Sequence, residues 1–168
     1  MNNENLVYSH TAYFNILKTR GMQGLQKNMP LWKFKLSEEE YEALKQTLRC
    51  HTSDLARYGE EAALCYAEWW RRDYRGTIPS KEDVAMGIGL HRRLGDDLYM
   101  AARKALQKHG YVFLHSLKGT EYFRTLLNQG GLPVNYIKNS GNIGNFSKFL
   151  KELVSELSSI NLDWNEVD

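Results

Sequence analysis

Cysteine, long apolar runs and catalytic signatures are what this 168-residue chain has least of. Its two cysteines, Cys50 and Cys65, have no CxxC spacing. With no export signal beside them, a disulfide framework is not expected, and both read as small buried hydrophobes. No run of about 18 apolar residues is present, which argues against a membrane-spanning helix. The opening MNNENLVYSH has neither a basic n-region nor an apolar h-region, so it does not read as a secretory signal and a cytoplasmic location is expected. No internal repeat and no low-complexity stretch appears.

Catalytic and metal-binding patterns are equally scarce. The five histidines, His10, His51, His91, His109 and His115, include no pair at i,i+3 or i,i+4, and no HxxE or CxxC completes a metal site. GIGLHRR lacks the GxxxxGK[ST] spacing of a phosphate loop. No serine sits in a GxSxG elbow. Glu60, Glu61 and Glu68 crowd one helix, where a pair of carboxylates cannot flank a substrate. No metal and no cofactor is therefore expected, and an enzyme with an unrecognised active site is the least supported class.

What the chain does have is aromatic residues, at 12%, and 42% hydrophobic residues overall, enough to build a core. The period of those residues predicts helices. HTAYFNILKTR, 10–20, reads as a first helix, with Ser9 to cap it and Gly21 to end it. LWKFKL, 31–36, alternates apolar and basic residues and reads as a short strand or extended segment with Leu31, Phe34 or Trp32 turned inward. Ser37 and Glu40 form a capping box, opening a helix to about His51 that buries Tyr41, Leu44 and Leu48. A single helix is expected from about Asp54 to Tyr74. It carries two adjacent apolar stripes that include Trp69 and Trp70, and a polar stripe of Arg57, Glu61, Glu68, Arg72 and Arg75. Arg57–Glu61 and Glu68–Arg72 are spaced as i,i+4 ion pairs.

Beyond Gly76 and Pro79, Ser80 and Asp83 cap a short helix to about residue 90. Asp96 and Asp97 start a clearer one that ends before Gly110, with acids and bases placed to suit its dipole. YVFLHSL, 111–117, reads as a strand, and 120–129 as a helix or, failing that, a returning strand. NSGNIGN, 139–145, reads as a linker, and FSKFLKELVSEL, 146–157, as an amphipathic helix before an acidic end. The expected fold is mainly α: a compact helical domain of six to eight helices with one or two short β segments. Residues 1–138 form its core, and 139–168 add the linker, the last helix and the tail.

Charge is uneven along the chain. Residues 1–84 carry 12 basic and 12 acidic side chains, residues 85–151 carry 10 and 3, and residues 152–168 carry none and 5. The basic middle supplies the nucleic-acid alternative. Helices near 81–90 and 96–109, followed by YVFLHS-LKGT-EYFRT, have the order of a winged helix-turn-helix, with Arg92, Arg93, Arg103, Lys104, Lys108, Lys118 and Arg124 as phosphate contacts. Against it, Asp96 and Asp97 open the helix that would face the phosphates. The protein-partner or self-association reading rests on the apolar face of the last helix, made of Phe146, Phe149, Leu150, Leu153 and Leu157.

Three stretches, PLWKFKLSEEEYEALKQTL, YAEWWRRDYRG and YFRTLLNQGGLP, occur in this order between residues 30 and 133. Together they resemble the N-terminal region of a large, poorly characterised family of bacterial proteins encoded on integrative islands and in anti-phage defence loci. The resemblance implies a defence or mobile-element setting and carries over no catalytic residue. Members of that family run much longer than 168 residues, so whatever their later regions do is not expected here. The resulting expectation is a non-catalytic interaction module docking on a protein partner.

Overall fold

A computed structural model describes residues 10–27, 29–76, 79–113, 123–134 and 140–159. Among the described residues there are seven α-helices, joined by short 3-10 turns, and no strand. The fold is a compact helical domain built around one central helix.

Helix α1, Thr11–Thr19, buries Tyr13, Ile16 and Leu17. It begins without a side-chain cap at His10, and Ser9 lies outside the described residues. Gly21 follows its end at a φ of 62°, a backbone angle only glycine adopts freely. Residues 31–34, expected in a strand, form a 3-10 turn instead. At three residues per turn Leu31 and Phe34 eclipse one another and are both buried. A strand would have sent them to opposite faces. Lys35 ends this turn in the left-handed region, φ 46°, the only non-glycine residue with positive φ among those described.

Helix α2, Glu38–Cys50, starts at the expected capping box: the Glu40 amide donates to Ser37 Oγ at 3.1 Å and the Ser37 amide to Glu40 Oε2 at 2.8 Å. The Glu40 carboxylate also receives both outer nitrogens of Arg20 at 2.7 Å, and this bidentate bond holds its pKa below the usual carboxylate range. Arg20 donates in addition to the Phe34 carbonyl at 2.7 Å, so one guanidinium fastens the end of α1, the 31–34 turn and the start of α2 together.

The helix expected over 54–74 is divided. A 3-10 turn at Leu55–Arg57 precedes α3, Gly59–Arg72. Residues 61–69 of α3 are buried without a break, so the expected exposed polar stripe does not exist there. Glu61 is 0% and Glu68 2% exposed. Arg57 pairs with Asp54 at 3.4 Å rather than with Glu61, while Glu68 does receive Arg72 at 2.6 Å.

After α4, Lys81–Gly87, whose Ser80–Asp83 capping box is formed, the chain reaches α5, Gly95–Lys108. Helix α4 stops short of residue 90 because Gly89 turns at φ 84°. Helix α5 is the main partner of α3. Gly59 makes their close approach possible: a Cβ there would stand 2.7 Å from both the Ala101 carbonyl and the Ala105 methyl. Residues 111–113 are not in a strand, and 114–117 lie outside the described residues. Helix α6, Arg124–Leu127, runs into a 3-10 turn at Asn128–Gly130. Helix α7 spans Ser140–Ser159, so residues 140–145 are helical rather than a linker. No described helix is long and apolar enough to cross a membrane.

A candidate binding groove

The stretches PLWKFKL, WWRRDYRG and NQGGLP are far apart in sequence, yet they meet in the fold. Trp32, Lys35 and Leu36 come from the first turn, Arg71 and Arg72 from the last turn of α3, and Gly130, Gly131, Leu132 and Val134 from the corner after α6. Together they line an open groove of about 940 Å³.

Each wall is held by specific bonds. The corner is fixed by Trp70, whose indole N–H donates to the Gly131 carbonyl at 2.8 Å while its ring stacks on Tyr74 at 4.2 Å. Gly130 lies directly on the Ala67 backbone, where any side chain would collide. Gly131, at φ 74°, faces the Trp32 ring. The arginines are ordered by the buried Glu68 carboxylate, which accepts from both Arg71 and Arg72. Arg72 also donates to Glu38 and to the Leu36 carbonyl and lies over the Tyr41 ring at 5.4 Å. The groove therefore has a rigid cationic floor with much of its charge already neutralised. The Lys35 ammonium, on the rim, makes no ion pair among the described residues. Trp32 and Leu132 remain 42% and 60% exposed beside it.

The lining combines apolar surface with cations and brings in no histidine, cysteine or serine. That chemistry suits holding a chain that is apolar and acidic; it does not supply a nucleophile with a base. No group of three or more His, Cys, Asp or Glu among the described residues is arranged to hold a metal ion.

A second cluster surrounds the start of α3. Consecutive glutamates each receive a histidine from a different element: His10 Nδ1 lies 2.6 Å from Glu61 Oε1, and His109 Nε2 lies 3.1 Å from Glu60 Oε1. His10 and His51 pack against the Tyr58 ring at 4.7 and 4.4 Å. Glu61 Oε2 is buried with no hydrogen-bond partner. Burial raises the pKa of this carboxyl, with the His10 bond acting in the opposite direction. These two pairs clasp the first helix and the end of α5 to the central one.

The residues expected to meet nucleic acid are spread out. Arg92 and Arg93 are exposed in a 3-10 turn before α5, while Lys104 and Lys108 are exposed toward its far end. The helix between them is about 20 Å long. Arg103 is half-buried and Arg124 is exposed at the start of α6; Lys118 lies outside the described residues. Asp96 and Asp97 are exposed on the first turn of α5, and Lys81 reaches Asp96 at 2.7 Å. Of the residues expected at a partner interface, Leu150 is exposed on α7. The side chains of Phe146, Phe149, Leu153 and Leu157 lie outside what is described. Reasoning from periodicity missed Trp32, Lys35, Arg71 and Arg72 as parts of one surface, although the three stretches that carry them were the ones the family resemblance picked out.

No curated protein and no solved structure shows significant similarity to the chain. A family of bacterial proteins does match, over residues 4–132, a span that takes in every groove residue except Val134. This chain belongs to the YjiT N-terminal domain family.

Proposed function

We propose that the domain is a non-catalytic docking module that holds an apolar, acidic segment of a protein partner in the groove between the 31–36 turn, the end of α3 and the 130–134 corner. One observation carries this reading: three sequence-distant stretches converge on a single groove that presents exposed Trp32 and Leu132 beside Lys35, Arg71 and Arg72. Aromatic and arginine side chains in a preformed concavity are the usual anchors of a protein interface. The bonds through Glu68 and Trp70 hold the groove ready, so little ordering is needed on binding. Read with the family resemblance, the setting proposed is a bacterial anti-phage defence or mobile-element system, and the compartment is the cytoplasm.

Selection of a displayed random-peptide library against the full chain tests the reading. The expected winners combine acidic and large apolar residues and lose binding on Trp32→Ala and on Lys35→Glu. Both positions are solvent-exposed, so thermal melting should change little in these variants. No enrichment, or winners indifferent to both substitutions, would sink the proposal.

A further inference from the structure

We infer that α7 pairs antiparallel with the α7 of a second copy of this chain. No residue lining the groove lies on α7, so the inference does not depend on the docking reading. Helices α1 to α6 each bury at least two residues. In α7 every residue whose burial is described is exposed, over more than half of the helix circumference. Two of these residues, Ile143 and Leu150, are large aliphatics left 47% and 42% exposed. They stand two turns apart and share one stripe. The sequence puts Phe146, Leu153 and Leu157 on the same stripe, at alternating steps of three and four residues. Those are the a and d positions of a heptad repeat, a seam that faces another helix running alongside.

Length and charge identify that neighbour. Helix α7 has 20 residues and is about 30 Å long. The next longest helices, α3 and α5, have 14 residues each and are already packed on one another. Another α7 matches the seam in both length and spacing. Along α7 the bases Lys148 and Lys151 precede the acids Glu152 and Glu156. The helix dipole has the same polarity, positive at its start and negative at its end. Two parallel copies would set like beside like, whereas antiparallel copies set each basic half beside an acidic one. The Lys148–Glu152 pair, 3.9 Å apart, lies on the side away from the seam and leaves it apolar. Burying the whole seam aligns Phe146 of one copy with Leu157 of the other, and Leu150 with Leu153. The seam is shorter than the roughly three to four heptads of a durable coiled coil, so pairing is expected in the micromolar range.

Sedimentation equilibrium of the full chain tests the inference. The apparent mass should climb toward that of two chains as concentration rises through the micromolar range. Ile143→Asp and Leu150→Asp together should hold it at one chain, with the melting temperature of a dilute sample unchanged. Direction is read by cross-linking in a Cys50→Ser background, which removes the exposed native thiol. An equal mixture of Phe146→Cys and Leu157→Cys chains should form disulfide-linked dimers under mild oxidation, and neither variant should do so alone. A chain that keeps a single mass up to millimolar concentration overturns the inference. A dimer that survives the paired aspartate substitutions also overturns it, because the contact then lies elsewhere. A lower melting temperature for that variant at high dilution would mean that the face covers the chain's own core, which is equally fatal. Self-linking of Phe146→Cys alone would overturn the antiparallel pairing, since only parallel helices bring the two copies of that residue together.

Discussion

At the scale of single residues, the side chains that matter most are the charged ones that the fold takes inside. Glu68 is 2% exposed and is paired with two arginines. Removing Arg72 strips a buried carboxylate of one donor and frees the Leu36 carbonyl. Arg72→Ala should therefore cost about 2 kcal/mol, in the range of bonds to charged groups, whereas Arg57→Ala, which loses an exposed partner at 3.4 Å, should cost under about 1 kcal/mol. Equal urea midpoints for these two variants would show that Glu68 does not need Arg72. Trp69 is a simpler case: it is buried, with Gly87 packed on its indole, and Trp69→Ala should cost about 3–5 kcal/mol. Glu61 makes stability depend on pH. Burial gives its carboxyl a higher proton affinity in the folded chain than in the unfolded one. Its stabilising contribution is then complete below the ordinary glutamate value of 4.5 and is lost as pH rises through the folded value. Glu61→Gln has no such proton to lose, so its stability should gain on the natural protein's as pH rises above 4.5. Parallel curves for the two proteins would contradict this account.

At the scale of elements, local signals and tertiary packing divide what a sequence reader can see. The capping boxes at Ser37 and Ser80 are local hydrogen-bonding patterns, and both helices begin where those patterns place them. The turn at 31–34 was not legible, because a run that alternates apolar and basic residues fits a strand equally well until something decides which residues face inward. The burial of Glu61 and Glu68 was missed for the same reason: i,i+4 arithmetic describes an isolated helix, while α3 is enclosed and Glu61 takes its partner, His10, from another element. The groove was visible only as three unexplained stretches, since nothing in a linear pattern says that residues 32, 71 and 131 meet. The contact between α3 and α5 yields a prediction of its own. Gly59→Ala would place a methyl 2.7 Å from the Ala101 carbonyl and the Ala105 side chain, and forcing the two helices apart should cost about 1–3 kcal/mol. The added helix propensity of alanine is too small to offset that, so a melt at or above that of the natural protein would show that the helices can part without strain.

At the scale of the whole molecule, the net charge of +2 conceals basic surfaces of different make-up. The bases of the α5 region stand apart from one another and close to Asp96 and Asp97, so duplex DNA should bind no better than micromolar at physiological salt. Each phosphate contact would add about −0.9 to the salt slope. A nanomolar, sequence-selective complex in a salt titration would instead favour the winged-helix reading. The groove cations work differently, because they sit among apolar side chains, and the one on the rim has a backbone cost attached. Lys35 holds a left-handed conformation that disfavours any residue with a Cβ by about 1–2 kcal/mol. Lys35→Gly should consequently raise the denaturation midpoint while abolishing capture of acidic peptides. Selection for robustness alone would install glycine at this position. Under the proposed docking role, lysine at this position trades durability for recognition, and measuring both properties on the one variant tests that trade-off.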